Sequence, residues 1–191
     1  WRKSPVSKPS LAKLSLVQKI QLTKKRLESE LFDVREDLRG VGFLEEKVTH
    51  YEELINELDK KYARLKIILP REWRRRIENM LRKNSEQLSK LKRELKELEN
   101  KVRQIEEHLS QITTRIIAID QVENRAKIAK KSRELRKIEE ELKALSEELD
   151  KQLKSIKDQT VQIREKVWLL YPVYSDIEQM LSDLSELERR R

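Results

Sequence analysis

Apolar residues recur every three or four positions along most of the chain, the spacing that gathers them on one face of a helix. A first run comprises Leu27, Leu31, Val34, Leu38, Val41, Leu44, Val48, Tyr51, Ile55, Leu58, Tyr62, Leu65 and Leu69. Its steps alternate between four and three, with one extra three-residue step from Val41 to Leu44 that spans Gly42. A second run holds Ile77, Leu81, Asn84, Leu88, Leu91, Leu95, Leu98, Val102, Ile105, Leu109, Ile112, Ile116 and Ile119. A third holds Leu135, Ile138, Leu142, Leu145, Leu149, Gln152, Ile156, Gln159, Ile163 and Leu170, and its phase extends backward to Ile128. Residues 27–69, 77–119 and 128–170 are each 43 residues long. Three equal runs predict an all-α, elongated, antiparallel coiled coil of three long helices, up-down-up.

The punctuation between runs is sparse. Pro5 and Pro9 mark an irregular leader, and Ser10 is placed to cap the first helix. Pro70 ends the first run and Pro172 the third. Ser175 and Glu178 have capping-box spacing for a short last helix through Glu188. Folding about Trp73 pairs Leu69 with Ile77, Leu58 with Leu88 and Val48 with Leu98. Folding about Glu123–Asn124 pairs Ile119 with Ile128, Ile112 with Leu135 and Ile77 with Leu170. No Gly or Pro marks that second reversal, and the phase breaks between Ile119 and Leu135. The competing reading is one continuous helix of about a hundred residues, with its seam shifted onto Ile119, Val122, Ala126 and Ala129. The chain reads as a basic N-terminal segment (1–26), an antiparallel bundle (27–171) and a short C-terminal helix (172–191).

Composition narrows the function classes. Of 191 residues, 41% are charged, 37% are apolar and 2 are Gly; there is no Cys. So few glycines leave little room for turn-rich folds or phosphate-cradling loops. The absence of Cys removes disulfides, thiolate metal sites and thiol nucleophiles, and it fits an intracellular, reducing compartment. His50 and His108 lack metal-binding spacing. The carboxylates interleave with Lys and Arg at helical spacing, as solvated pairs do. No enzymatic activity, cofactor or metal is expected. No apolar run approaches the ~18–20 residues that a membrane span needs. The chain begins at Trp1 rather than Met, as expected of a piece of a longer protein.

The net charge of +9 is unevenly placed. Lys13, Lys19, Lys24, Lys25 and Arg26 precede the first acid, Glu28, and alternate with Leu11, Leu14, Val17 and Ile20 as in a basic amphipathic helix. Arg125, Lys127, Lys130, Lys131 and Arg133 form a second cluster, with Arg136 and Lys137 beyond it and Glu134 its one acid. Both clusters are predicted at one pole, as candidate sites for an anionic partner. Trp73, Arg74 and Arg75, with Trp168, Tyr171 and Tyr174, are predicted at the opposite pole, and these types dominate protein interfaces. Asn84, Gln152 and Gln159 read as polar seam residues that set register.

No motif identifies a family. The expected function is a non-enzymatic scaffold that mediates protein–protein interaction or oligomerisation with helical partners, in homo- or hetero-oligomers. The alternative is a peripheral membrane module that uses the basic segments on anionic lipid. Nucleic-acid binding ranks third, because the basic clusters carry no aromatics to stack bases.

Overall fold

The computed structural model describes residues 8–190; the leader Trp1–Ser7, with Arg2, Lys3 and Pro5, lies outside the described residues. Three long helices and one short helix follow in order: α1 Lys8–Leu65, α2 Arg71–Ile128, α3 Ser132–Leu170 and α4 Ser175–Arg189. A single 3-10 turn, Lys66–Ile68, follows α1. The protein is an all-α helical bundle, and the described residues contain no strand. α1 starts at Lys8, so Pro9 falls in the first turn, where a missing N–H costs nothing, and Ser10 lies inside the helix rather than capping it. The helix runs on through residues 26 and 27 without a break.

The first reversal follows from Pro70. A proline pushes the residue before it out of the helical region, and Leu69 is extended at φ −81°, ψ 140°. The Pro70 carbonyl then accepts the first α2 bond, from the N–H of Arg74. Trp73 therefore lies in the first turn of α2, just past the reversal.

The second reversal is real, but it falls at Ala129–Lys131 and not at Glu123–Asn124. α2 continues to Ile128, and the seam does shift onto Ile119, Val122, Ala126 and Ala129, all buried. Folding about Glu123–Asn124 would set Arg115 beside Ser132; it pairs instead with Glu148, about two heptads further on. A heptad pattern specifies register only to within whole heptads, so both alignments satisfy it. Ile128, expected in the seam, is 75% exposed at the tip. The backbone N–H of Lys130 donates to the Glu134 carboxylate, and the Lys131 carbonyl accepts from Leu135 to open α3.

The chain divides into two compact units. In the first (1–37 and 102–162), α1 runs antiparallel to α2, with Gln21 on Glu123, Lys24 on Asp120 and Arg35 on Thr113. It runs parallel to α3, with Lys19 on Glu139 and Arg26 on Asp150. α2 and α3 close the triangle through Arg115–Glu148 and Arg125–Glu141. Leu16, Ile20, Leu27, Leu31 and Val34 of α1 bury their side chains in this core.

In α3 the seam departs from expectation. After Leu149 the buried positions are Leu153, Ile156, Thr160, Ile163 and Val167. Two successive four-residue steps, Leu145–Leu149–Leu153, form a stutter that rotates the seam. Gln152 is thereby only half-buried and Gln159 is exposed, so neither is a seam residue. Buried Thr160 meets its hydrogen-bonding need by donating to the Lys157 carbonyl at 2.9 Å.

The second unit comprises 38–101 and 163–191. Buried Pro172 stops α3, and α4 resumes one turn later with Ile177, Met180, Leu181 and Leu184 facing inward. α4 lies parallel to α1, with Lys61 on Ser185 and Arg64 on Glu188. Ser175 is the first residue of α4 and makes no cap; the helix opens from Tyr174, whose carbonyl accepts from Glu178. Asn84 behaves as a polar seam residue: Tyr51, fully buried, donates its OH to Asn84 Oδ1 at 2.5 Å, and Asn84 Nδ2 donates to the Met80 carbonyl. Neither helical glycine is required by space or by dihedral angle. A Cβ on Gly40 would stand 3.8 Å from Val167 Cγ1, and one on Gly42 would meet nothing.

Two outcomes check this packing. Gly42→Ala is expected to stabilise the fold by about 0.5–1 kcal/mol, read as a raised melting temperature. Leu153→Ala is expected to cost about 2–5 kcal/mol and Gln152→Ala under about 0.5 kcal/mol in denaturant titration. The reverse ranking would restore the unshifted seam.

Candidate functional site

The first unit brings the two basic segments together. Lys13 Nζ donates to the Lys127 carbonyl at 2.9 Å, which sets the start of α1 against the end of α2. Most of the cations singled out by sequence are already engaged there. Lys19 pairs with Glu139 at 3.2 Å, Lys24 with Asp120 at 2.5 Å and Arg26 with Asp150 at 2.6 Å. Arg125 pairs with Glu141, and Lys127 pairs with Glu123 at 3.3 Å. The side chains of Lys25, Lys130, Lys131 and Arg133 have no such partner among the described residues. Lys25 stands alone on the outer face of α1, whereas the other three cluster at the α2–α3 reversal.

The ion pairs shift the groups that make them. The hydrogen bond to Asp120 raises Lys24, and that to Asp150 raises Arg26, each against the opposing cost of desolvation. Arg115 donates to both carboxylate oxygens of Glu148, at 2.9 and 2.7 Å. That fork raises Arg115 and lowers Glu148. Glu123 is lowered first by its bond from Gln21 and then by Lys127.

In the second unit the aromatic group does not assemble as predicted. Tyr174 packs edge-on against His50, with ring centroids 5.3 Å apart, and stacks on Tyr51 at 6.1 Å. It therefore sits midway along this part of α1, not at the turn with Trp73, Arg74 and Arg75. The place beside Arg64, near the turn, is taken by Glu188 of α4. The expectation failed because the α2–α3 reversal falls later than Glu123–Asn124, so α3 reaches its expected end at Leu170 short of the first turn and α4 continues past Tyr174. Trp73 and Arg74 are half-buried and Arg75 is exposed. Trp168 is 73% exposed and leans on half-buried Tyr171 with centroids 5.6 Å apart. Leu169 and Val173 project beside it, 84% and 78% exposed. Sequence reasoning missed both; the signal was the five-residue apolar run Val167–Tyr171, longer than one seam position can bury.

Outside these surfaces, α2 and α3 of the first unit border a polar cleft of His108, Gln111, Gln152, Ser155 and Gln159 over Ile112 and Ile156. No Asp, Glu, Lys or Arg among the described residues lines it. His50 lies 4.0 Å from Glu53 on its own helix. Among the described residues no group of three or more His, Cys, Asp or Glu is placed to hold a metal ion, and no helix is long and apolar enough to cross a membrane. Fold and surfaces together define a helical-bundle protein with a basic patch at the α2–α3 reversal and exposed apolar side chains at the α3–α4 junction. Comparison with protein-family models, curated proteins and solved structures finds no match.

The lowered carboxylates set an acid dependence. A depressed carboxyl pKa stabilises the fold above its unfolded value, here 4.5, and that stability is lost as pH falls through the lowered folded value. Arg115→Gln removes the share that belongs to Glu148. Melting temperatures of the two proteins are expected to differ at neutral pH and to converge as pH falls below 4.5 and through the lowered folded value. A gap that stays constant would show that the pair does not contribute.

Proposed function

We propose that the protein is a non-enzymatic helical scaffold that binds another protein through the ledge at the α3–α4 junction. The observation that supports this is the exposure of Trp168, Leu169 and Val173 together, beside half-buried Tyr171. A lone exposed leucine is ordinary, but Trp168 and Leu169 side by side on α3, with Val173 four residues on, have the composition of an interface centre. Burying a side chain of this size is worth about 1.5–3 kcal/mol. Three such anchors offset the lower range of association costs, about 4–15 kcal/mol, but not the upper. The ledge therefore suits reversible binding that further contacts strengthen.

Charge selects the kind of partner. Arg164 and Lys166 precede the ledge along the chain with Glu165 between them, and Asp176 and Glu178 follow it. A surface of mixed sign attracts neither polyphosphate nor anionic lipid in particular, and it suits a protein with a complementary rim. The non-enzymatic reading is supported by carboxylates held in ion pairs on helix surfaces, as Glu139, Asp120, Glu148 and Glu141 are.

The double variant Trp168→Ala/Leu169→Ala is expected to melt at nearly the parent temperature, because both side chains are exposed. It is expected to lose any self-association seen by light scattering, and any partner retained by the immobilised parent chain. Retention of the same partners by the variant would discard the ledge as the interface.

A further inference from the structure

We propose that the α2–α3 reversal of the first unit docks on an anionic lipid bilayer, with Lys130, Lys131 and Arg133 on the headgroups and Ile128 inserted between them. The cations of this tip differ from those earlier on α1. Lys13, Lys19, Lys24 and Arg26 are drawn inward by a carbonyl or carboxylates of α2 and α3. The three tip cations have no side-chain partner among the described residues. Glu134, the acid nearest to them in sequence, accepts the Lys130 backbone N–H at 3.2 Å and makes no ion pair with the three cationic side chains. Lys130 and Lys131 lie between the end of α2 and the start of α3, and Arg133 lies in the first turn of α3, where the positive end of the dipole disfavours a cation. Three exposed cations without a carboxylate partner leave a surface open to an external anion.

Three sources of anion are separated by the apolar residues of the same tip. Ile128 is 75% exposed, and it borders a shallow depression floored by Ala129 and Ile138, with Arg125 and Lys137 and the acids Glu134 and Glu141 at its edge. Leu11 and Leu14 project near the same end, 56% and 60% exposed, placed there by the Lys13–Lys127 contact. Phosphate contacts of a nucleic acid gain nothing from a projecting isoleucine. An acidic helix would need a groove to lie in, and Ile128 stands outward on a convex turn. A bilayer interface rewards both features at once, through charge near the headgroups and a branched side chain at the acyl boundary.

The experiment is co-sedimentation of the full chain with mixed phosphatidylcholine–phosphatidylserine vesicles and with pure phosphatidylcholine vesicles. Binding is expected to the first and not to the second, and equal binding to both overturns the proposal. Each cation near such a surface contributes about fivefold in affinity, so Lys130→Gln/Lys131→Gln/Arg133→Gln is expected to weaken binding about a hundredfold. Ile128→Ser is expected to weaken it about tenfold. All four residues are exposed, and unchanged helicity by circular dichroism confirms that the variants fold. Lys143→Gln/Lys151→Gln/Lys154→Gln removes the same charge from the flank of α3 and is expected to cost far less. Equal loss in the two triple variants would reduce the effect to net charge and overturn a specific tip. Trp168→Ala is expected to leave vesicle binding unchanged, which separates this proposal from the protein ledge. Retention of duplex DNA with no vesicle binding, indifferent to Ile128→Ser, would assign the tip to nucleic acid and overturn the proposal.

Discussion

Lengthwise burial of one apolar stripe per helix is the constraint on which the structure depends. Helices as charged as these bury nothing by themselves, and an isolated helix gains too little from its hydrogen bonds to persist in water. Stability comes from covering Leu16, Ile20, Leu27 and Leu31 of α1 with α2 and α3 in the first unit. In the second, Leu54, Leu58 and Tyr62 are buried where α2 and α4 approach α1. Polar contacts add register to this burial. Exposed ion pairs contribute little each, yet Gln21–Glu123, Lys24–Asp120 and Arg115–Glu148 are met together only at one alignment, and a slip by a heptad would lose all of them.

The fold was legible where the period was unbroken. All thirteen positions of the run Leu27–Leu69 are buried, including both sides of the three-residue step at Val41–Leu44. In the second run none is exposed. Legibility fails in α3 for a specific reason. Leu145–Leu149–Gln152 and Leu145–Leu149–Leu153 are both permitted continuations, and only the packing partners decide between them. The turn at Ala129–Lys131 was hidden because a helix can reverse without Gly or Pro. Its visible trace was the run Lys130–Glu134, five residues with nothing apolar between Ala129 and Leu135. The candidate surfaces were legible only as residue types. A list of ten cations cannot say which ones carboxylates will claim, and six of the ten have partners that lie more than a heptad away, next to them, or on other helices.

The two glycines of α1 show the same limit from another side. Gly40 and Gly42 flank Val41 at the three-residue step of the first run, and the structure gives neither a steric nor a dihedral reason for them. Each lowers helix stability by roughly 0.5–1 kcal/mol relative to alanine. The surrounding seam of Leu38, Val41 and Leu44 is fully buried and outweighs that cost, so the helix passes through them unbroken.

Helix dipoles explain why the basic segments converge. Cations at the start of α1 oppose its dipole, and no acid occupies its first turn to relieve them. The antiparallel neighbour supplies the remedy. Lys13 Nζ donates to the Lys127 carbonyl, at the end of α2, where the dipole is negative and the last carbonyls lack helical partners. A charge unfavourable to its own helix thus becomes a cap for the next one. The side chains of Lys130, Lys131 and Arg133 find no such carbonyl or carboxylate among the described residues. Their sign is uncompensated within the first unit, whereas the mixed charges around Trp168 in the second balance one another. Two patches of similar apolar exposure are distinguished by their charge surroundings, and those surroundings set the chemistry of what each can bind.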